Sequence, residues 1–195
     1  KFYTNFNGQN WVNKTNWLVP GKPINTWNGI TVSAQGCVSA IDFDKNNLVG
    51  PLYDINFPNL SFLTIYTSSI SGGIPDFSKM PNLTTLQIVD NKLSGSTPNF
   101  SKIPKLSFLQ LSGNQLIGTI PDFSNLQQMT GFFAVNNKLT GSLPNFSKMP
   151  KLIYYSVQNN QLTGSIPNFS NLSKLDWLAL GNNQLSGTLP DFRFL

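Results

Sequence analysis

Residues 106–118 read Leu106-Ser107-Phe108-Leu109-Gln110-Leu111-Ser112-Gly113-Asn114-Gln115-Leu116-Ile117-Gly118, and their spacing decides the fold. Leu106, Leu109, Leu111 and Leu116, with Asn114 and Gly118, make the frame L-x-x-L-x-L-x-x-N-x-L-x-G. The alternation through Leu109 and Leu111 has period two, so it predicts a short strand with one buried face. Asn114 stands where the chain turns, and its amide can serve backbone groups that a turn leaves unpaired. So short a segment cannot bury its own apolar face, so the frame makes sense only if it recurs and stacks.

It does recur. Glycines fall at Gly72, Gly95, Gly118, Gly141, Gly164 and Gly187, each 23 residues after the last, and Pro75, Pro98, Pro121, Pro144, Pro167 and Pro190 follow at the same interval. An earlier copy ends at Gly50, which makes seven. The third copy is Leu83, Leu86, Ile88, Asn91, Leu93, Gly95, and the fifth is Met129, Phe132, Ala134, Asn137, Leu139, Gly141. The sixth and seventh run from Leu152 to Gly164 and from Leu175 to Gly187. The first is degenerate (Val38, Ile41, Phe43, Asn46, Leu48, Gly50), and the second has Ser68 in place of Asn. Stacked copies predict an Asn ladder. The return paths carry a second apolar series, Phe77, Phe100, Phe123, Phe146, Phe169 and Phe192, with Met80, Ile103, Leu126, Met149 and Leu172 behind it.

Composition narrows the function. The chain has 195 residues, 39% hydrophobic but only 11% charged, with a net charge of +5. All eight acids are Asp, Arg193 is the sole Arg, and there is no His. A Ser-His-Asp or Cys-His triad is therefore impossible, and Cys37 alone supplies neither a zinc site nor an intrachain disulfide. Arg-poor sequence disfavours nucleic acid as a partner. No apolar run approaches membrane-spanning length. Neither a catalytic group, a metal nor another cofactor is expected. A chain starting at Lys1 reads as a mature form, and 1–37 precede the repeats as a capping segment.

The frame with its G-x-[IL]-P tail resembles the plant-type leucine-rich repeat of receptor-like kinase ectodomains and polygalacturonase inhibitors. Related repeats occur in protists and bacteria. The resemblance covers 38–195 as repeats, the last return segment incomplete, and reaches into the cap through Trp11, Asn16-Trp17-Leu18 and Trp27-Asn28-Gly29-Ile30. It implies a curved, right-handed superhelix of the α/β repeat type, made mostly of short parallel strands. Asn25 and Val32 occupy the two positions where the family cap carries cysteines. That departure suggests a microbial or protist relative, or a cap held by its three tryptophans. The repeats are also one residue shorter than the family's usual 24.

In such a solenoid the strand residues between frame leucines line the concave face. Three columns result, one through Phe62, Phe108, Tyr154 and Trp177, one through Gln87, Gln110 and Phe133, and one through Tyr66, Val89 and Gln158. Large exposed rings among uncharged polar residues suit a protein, peptide or polysaccharide ligand. These ten residues form the candidate binding site.

Other faces carry weaker signals. Lys79, Lys102 and Lys148 form a stripe that reads chiefly as a solvated surface. Ser96, Thr119, Ser142, Ser165 and Thr188 form a hydroxyl ladder, a surface that binds ice in one plant member of the class. Asp42 and Asp44 share a strand face about 7 Å apart, a spacing that glycosidases use, but beside Lys45 a structural role fits better. Sequons at Asn13, Asn59, Asn82, Asn99, Asn145, Asn168 and Asn171 permit glycosylation, with Asn99, Asn145 and Asn168 a single repeat position copied. Cys37 reads as a buried, inert thiol. The sequence stops at Asp191-Phe192-Arg193-Phe194-Leu195, part-way through a return, and an uncapped end offers homo-oligomerisation. The reading is thus a non-catalytic, extracellular recognition module, with an adhesive, self-assembling protein second and ice binding third.

Overall fold

The structure, a computed structural model, describes residues 1–146 and 148–190. The alternating segments of the seven frames form seven strands, Val38–Asp44, Phe62–Tyr66, Thr85–Val89, Phe108–Gln110, Gly131–Phe133, Tyr154–Ser156 and Trp177–Ala179. They pair in chain order, all parallel, and Ile30–Val32 of the cap covers the first edge antiparallel. The register aligns equivalent positions: Leu63 faces Leu86, and Leu109 faces Phe132. Frame residues therefore stack in one buried row.

The segments around each repeat glycine form a second parallel sheet of Val49–Pro51, Ser69–Gly72, Lys92–Gly95, Gln115–Thr119, Lys138–Gly141, Gln161–Ser165 and Gln184–Ser186. Its register differs, since Thr140 faces Gln161 although Thr163 is its equivalent, and Thr163 faces Gln184. Each repeat thus slips by two residues against the last. Return paths run as turns, and helix is confined among the described residues to Phe2–Asn5, Gly8–Asn10 and Ile24–Thr26 in the cap. The α component of the expected fold is correspondingly slight.

The Asn ladder forms as the frame predicts. Asn114 Oδ1 accepts from Leu93 N of the preceding repeat at 3.0 Å, and its Nδ2 donates to Ile88 O at 2.8 Å and Leu111 O at 3.0 Å. Asn91, Asn137, Asn160 and Asn183 repeat the pattern, each bonding a leucine or isoleucine N–H at 2.9–3.0 Å. Asn46 bonds Asn13 of the cap instead. Ser68 keeps one acceptor bond, from Leu48 N at 3.4 Å.

The residue before each ladder position lies in the left-handed region: Lys45, Thr67, Asp90, Gly113, Asn136, Asn159 and Asn182 have φ between 47° and 67°. Asn and Gly accept that conformation, whereas β-branched Thr67 at φ 47° is strained. Thr67→Asn should therefore raise stability by about 1 kcal/mol, read as a higher urea midpoint at unchanged m-value.

A second core row runs along the returns. Phe77, Phe100 and Phe123 stack at 6.3 Å intervals, and Phe146 stacks on Phe169 at 5.2 Å. Between Phe123 and Phe146 the path crosses to the strands, through Phe132 and Tyr155. Phe192 of this series lies outside the described residues. Tyr155 is 1% exposed, and its hydroxyl has no partner among the described residues. Burial also pushes its pKa well above 10. Unpaired buried hydroxyls cost about 1–3 kcal/mol, so Tyr155→Phe should stabilise the fold by about 1–2 kcal/mol. It should also flatten the alkaline side of the stability profile. In the wild type the unfolded tyrosine ionises near pH 10 while the folded one keeps its proton, so stability is full below pH 10 and falls above it. Denaturant titrations of both proteins between pH 7 and 11 check the two effects together.

The cap closes the N-terminal end without a disulfide. Phe2, Tyr3, Trp11, Trp17 and Phe43 pack ring against ring, with Trp11 5.0 Å from both Trp17 and Phe43. Trp11 Nε1 donates to Phe6 O and Trp17 Nε1 to Asn28 O, each at 2.8 Å. Gly29, at φ 76°, lets the backbone lie against Phe43, whose ring would stand 2.5 Å from any Cβ there.

Candidate ligand-recognition surface

The parallel register puts Phe62, Thr85, Phe108, Gly131, Tyr154 and Trp177 in one column on the outer face of the eight-stranded sheet. Phe62 is 49% exposed, Tyr154 39% and Trp177 57%, while Phe108 and Phe133 are half-buried. The cause is mutual packing. Phe133 lies 5.5 Å from Phe108 and 6.3 Å from Tyr154, so these three rings form a continuous platform. Gly131 makes it possible, because a Cβ there would meet the Phe108 ring at 2.6 Å. The column pattern alone does not reveal this glycine's part. Its signal is the one missing side chain between two rings.

Trp177 and Phe62 flank the platform on either side along the sheet, and Gln110 lies half-exposed beside it. Val89, placed on this face by the strand pattern, is only 8% exposed and offers a ligand little area. Toward the cap the surface turns polar. Asp42 accepts from the Thr64 hydroxyl, and the Tyr66 hydroxyl donates to Gln87 Oε1. Burial raises the Tyr66 pKa, and the carboxylates of Asp42 and Asp44 raise it further. Tyr66 is thus a neutral hydrogen-bonding group across the physiological range. Asp42 and Asp44 are themselves exposed.

The flanks differ from their sequence expectations in two ways, and a third feature gains a structural reason. Cys37 is half-exposed in a polar groove with Ser39, Asn59 and Lys105, because it precedes the buried frame position Val38. The hydroxyl ladder does not form side-by-side pairs. The two-residue slip puts Thr119 opposite Thr140 and Ser165 opposite Ser186, so equivalent hydroxyls stand about 8 Å apart rather than about 4.8 Å. The copied sequon also has a structural explanation. Asn99 and Asn168 accept from the N–H two residues on, at 3.0 and 2.7 Å, as Asp76 and Asp122 do in sister repeats at 3.1 and 2.8 Å. Asn or Asp serves this turn equally. Of the seven sequon asparagines, Asn13, Asn59, Asn99, Asn145, Asn168 and Asn171 are exposed. Asn82 is half-buried, its amide donating to Pro58 O and accepting from Lys105 Nζ.

Two parallel sheets, one in register and one slipped, joined through an Asn ladder define a leucine-rich repeat solenoid, and the comparisons agree. The family model of leucine-rich repeats in two copies matches residues 81–125. No curated protein matches the sequence. Among solved structures, the chain is similar to PEPR1 in its complex with AtPEP1, at 29% identity and a TM-score of 0.80, over 85% of this chain and 24% of that one. It is also similar to the plant peptide hormone receptor RGFR1 in complex with RGF2, at 32% identity and a TM-score of 0.75, over 78% and 26%. Pollen Receptor Kinase 3 matches at 28% identity and a TM-score of 0.73, over 86% and 85%. The chain spans about a quarter of the length of the first two. Its repeats are of the leucine-rich type, and the chain is similar to plant receptors built from such repeats.

Proposed function

We propose that this chain is an extracellular, non-catalytic recognition module that binds an extended peptide segment of its partner across the outer face of the eight-stranded sheet. The observation that carries the reading is the platform of Phe108, Phe133 and Tyr154, flanked by Phe62 and Trp177. Five rings on one rigid face are rarely left uncovered, and aromatic anchors dominate binding energy. Gln87, Gln110 and Gln158 between and beside the rings can hydrogen-bond a peptide backbone without demanding a charge. RGFR1, to which the chain is similar, is a plant peptide hormone receptor, which supports the same ligand class. Polysaccharide capture by the same rings is the competing ligand.

A display library of random linear peptides, panned on the purified chain, tests this. Selected peptides should lose at least about 30-fold in affinity on Trp177→Ala with Phe108→Ala, since a hot-spot ring contributes about 2 kcal/mol or more. Ile117→Ser, on the other sheet, should leave affinity unchanged. Peptides that bind the double variant as well as the wild type would refute the assignment of the face. Enrichment on a glycan array with none in the peptide library would refute the ligand class. The adhesive reading rests on residues 191–195, which lie outside the described residues.

A further inference from the structure

We propose a second site, in the cap: an aromatic cavity that takes a small apolar anion, such as an aromatic or alicyclic acid. A cavity of about 540 Å³ lies between the cap and the segment that leaves the first repeat. Six rings line it, those of Phe2, Tyr3, Trp17, Trp27, Tyr53 and Phe57. Its size falls within the range of about 300–1,000 Å³ typical of small-molecule sites, which are mostly apolar with a few polar groups. It is separate from the sheet face described above, since no residue of the ring platform lines it.

The rim sets the charge. Lys1 and Lys79 supply cations and Asp54 the one carboxylate. Asp54 is occupied, accepting from the Ser78 hydroxyl at 3.0 Å and from Lys79 N at 3.4 Å. The ammonium groups of Lys79 and Lys1 have no partner among the described residues, so both are rim charges free to meet a ligand, Lys79 being the one fixed within a repeat. Tyr53, in the wall, has a buried hydroxyl without a well-formed hydrogen bond, although Asn5 is near enough to act on its ionisation. The lip is apolar and exposed, with Leu18 60% and Ile24 37% accessible. Leu18 holds a left-handed backbone at φ 55°, a strained conformation for a bulky residue. An apolar body inside and an anionic group at Lys79 would satisfy both halves of the site.

The probe pair is 1-anilinonaphthalene-8-sulfonate and its uncharged relative N-phenyl-1-naphthylamine, titrated into the full chain. Trp17 and Trp27 line the wall, so energy transfer from tryptophan to the probe gives a second readout. One saturable site per chain is expected for each probe. Ile24→Glu should weaken both by about tenfold, by making the lip polar and repelling the anion. Lys79→Gln should weaken the sulfonate several-fold and leave the neutral probe unchanged. Wild-type urea midpoints for both variants exclude binding to a loosened fold. Unsaturable binding, equal affinity in all three proteins, or loss of the signal on Trp177→Ala would overturn the site. Because the peptide test uses other residues and other ligands, either proposal can fail alone.

Discussion

Asn114→Leu should cost the fold about 3–5 kcal/mol, although it swaps one buried residue for another of similar size. The amide serves four backbone groups at once: it accepts from Leu93 N and donates to Ile88 O and Leu111 O at 2.8–3.0 Å, and to Ser112 O at 3.2 Å. Asn114 is 8% exposed, so water cannot replace those bonds. Each orphaned buried group costs about 1–3 kcal/mol, while the leucine recovers part of that by apolar burial. The damage spans two repeats, because Leu93 and Ile88 belong to the copy before. A solenoid's stability is a sum of repeat and interface terms, so both interfaces beside the substitution should weaken. Urea titration would show a lower midpoint, and amide exchange should rise at Leu93 and its neighbours. Asn159→Gly is the control, because glycine already holds the same left-handed backbone at the equivalent Gly113. Asn159 also stands in a ladder, bonded to Asn136 and Asn182 at 2.6 Å, but it is exposed and water can replace its partners. Its loss should stay within about 0.5 kcal/mol. Equal costs for the two would mean that burial does not set the ladder's worth.

The same contrast explains what could be read from the sequence. The strands, their order and the Asn ladder were legible because each depends on a residue type at a fixed interval. Copying multiplies that signal. The ring column was legible for the same reason, since equivalent positions in the first sheet face each other, as Phe62 does Thr85 and Tyr154 does Trp177. The second sheet is where copying misleads. Equivalent positions there are displaced by two residues, and a column in the sequence, such as Thr119 with Ser142, is not a column on the surface. Nothing in the local pattern encodes that slip, which follows from how the whole coil closes. The platform of Phe108, Phe133 and Tyr154 was hidden differently. It joins two columns across the vacancy at Gly131, so it depends on a diagonal relation that no single column contains. The cap cavity has little repeat behind it: apart from Val38 and Lys79, its lining comes from one-off residues on the irregular path of 1–30 and the segment after Gly50.

Trp11→Ala should be the most damaging single change in the cap, at about 3–5 kcal/mol. The side chain is 4% exposed and touches Phe2, Tyr3, Trp17 and Phe43 with centroid distances of 5.0–6.0 Å. Its truncation leaves a cavity among rings that cannot easily close it, and core Trp→Ala changes cost about that much. It also orphans Phe6 O, which accepts the indole N–H at 2.8 Å. Trp27→Ala should cost far less. Trp27 is only half-buried, and its indole bond to Lys22 O is longer, at 3.3 Å. With Asn25 and Val32 where cysteines would otherwise hold the cap, no covalent link limits the consequence. Phe43 decides how far it spreads. That ring belongs to the first repeat strand, yet packs within the cap cluster, so a loosened cap uncovers the first repeat. Loss of Trp11 should therefore lower the single unfolding midpoint of the whole chain rather than create a separate early transition. Tryptophan fluorescence and far-ultraviolet circular dichroism, followed through one urea titration, should then coincide. A fluorescence change well before the dichroism change would mean that the cap melts alone, and that the aromatic cluster does not couple it to the repeats.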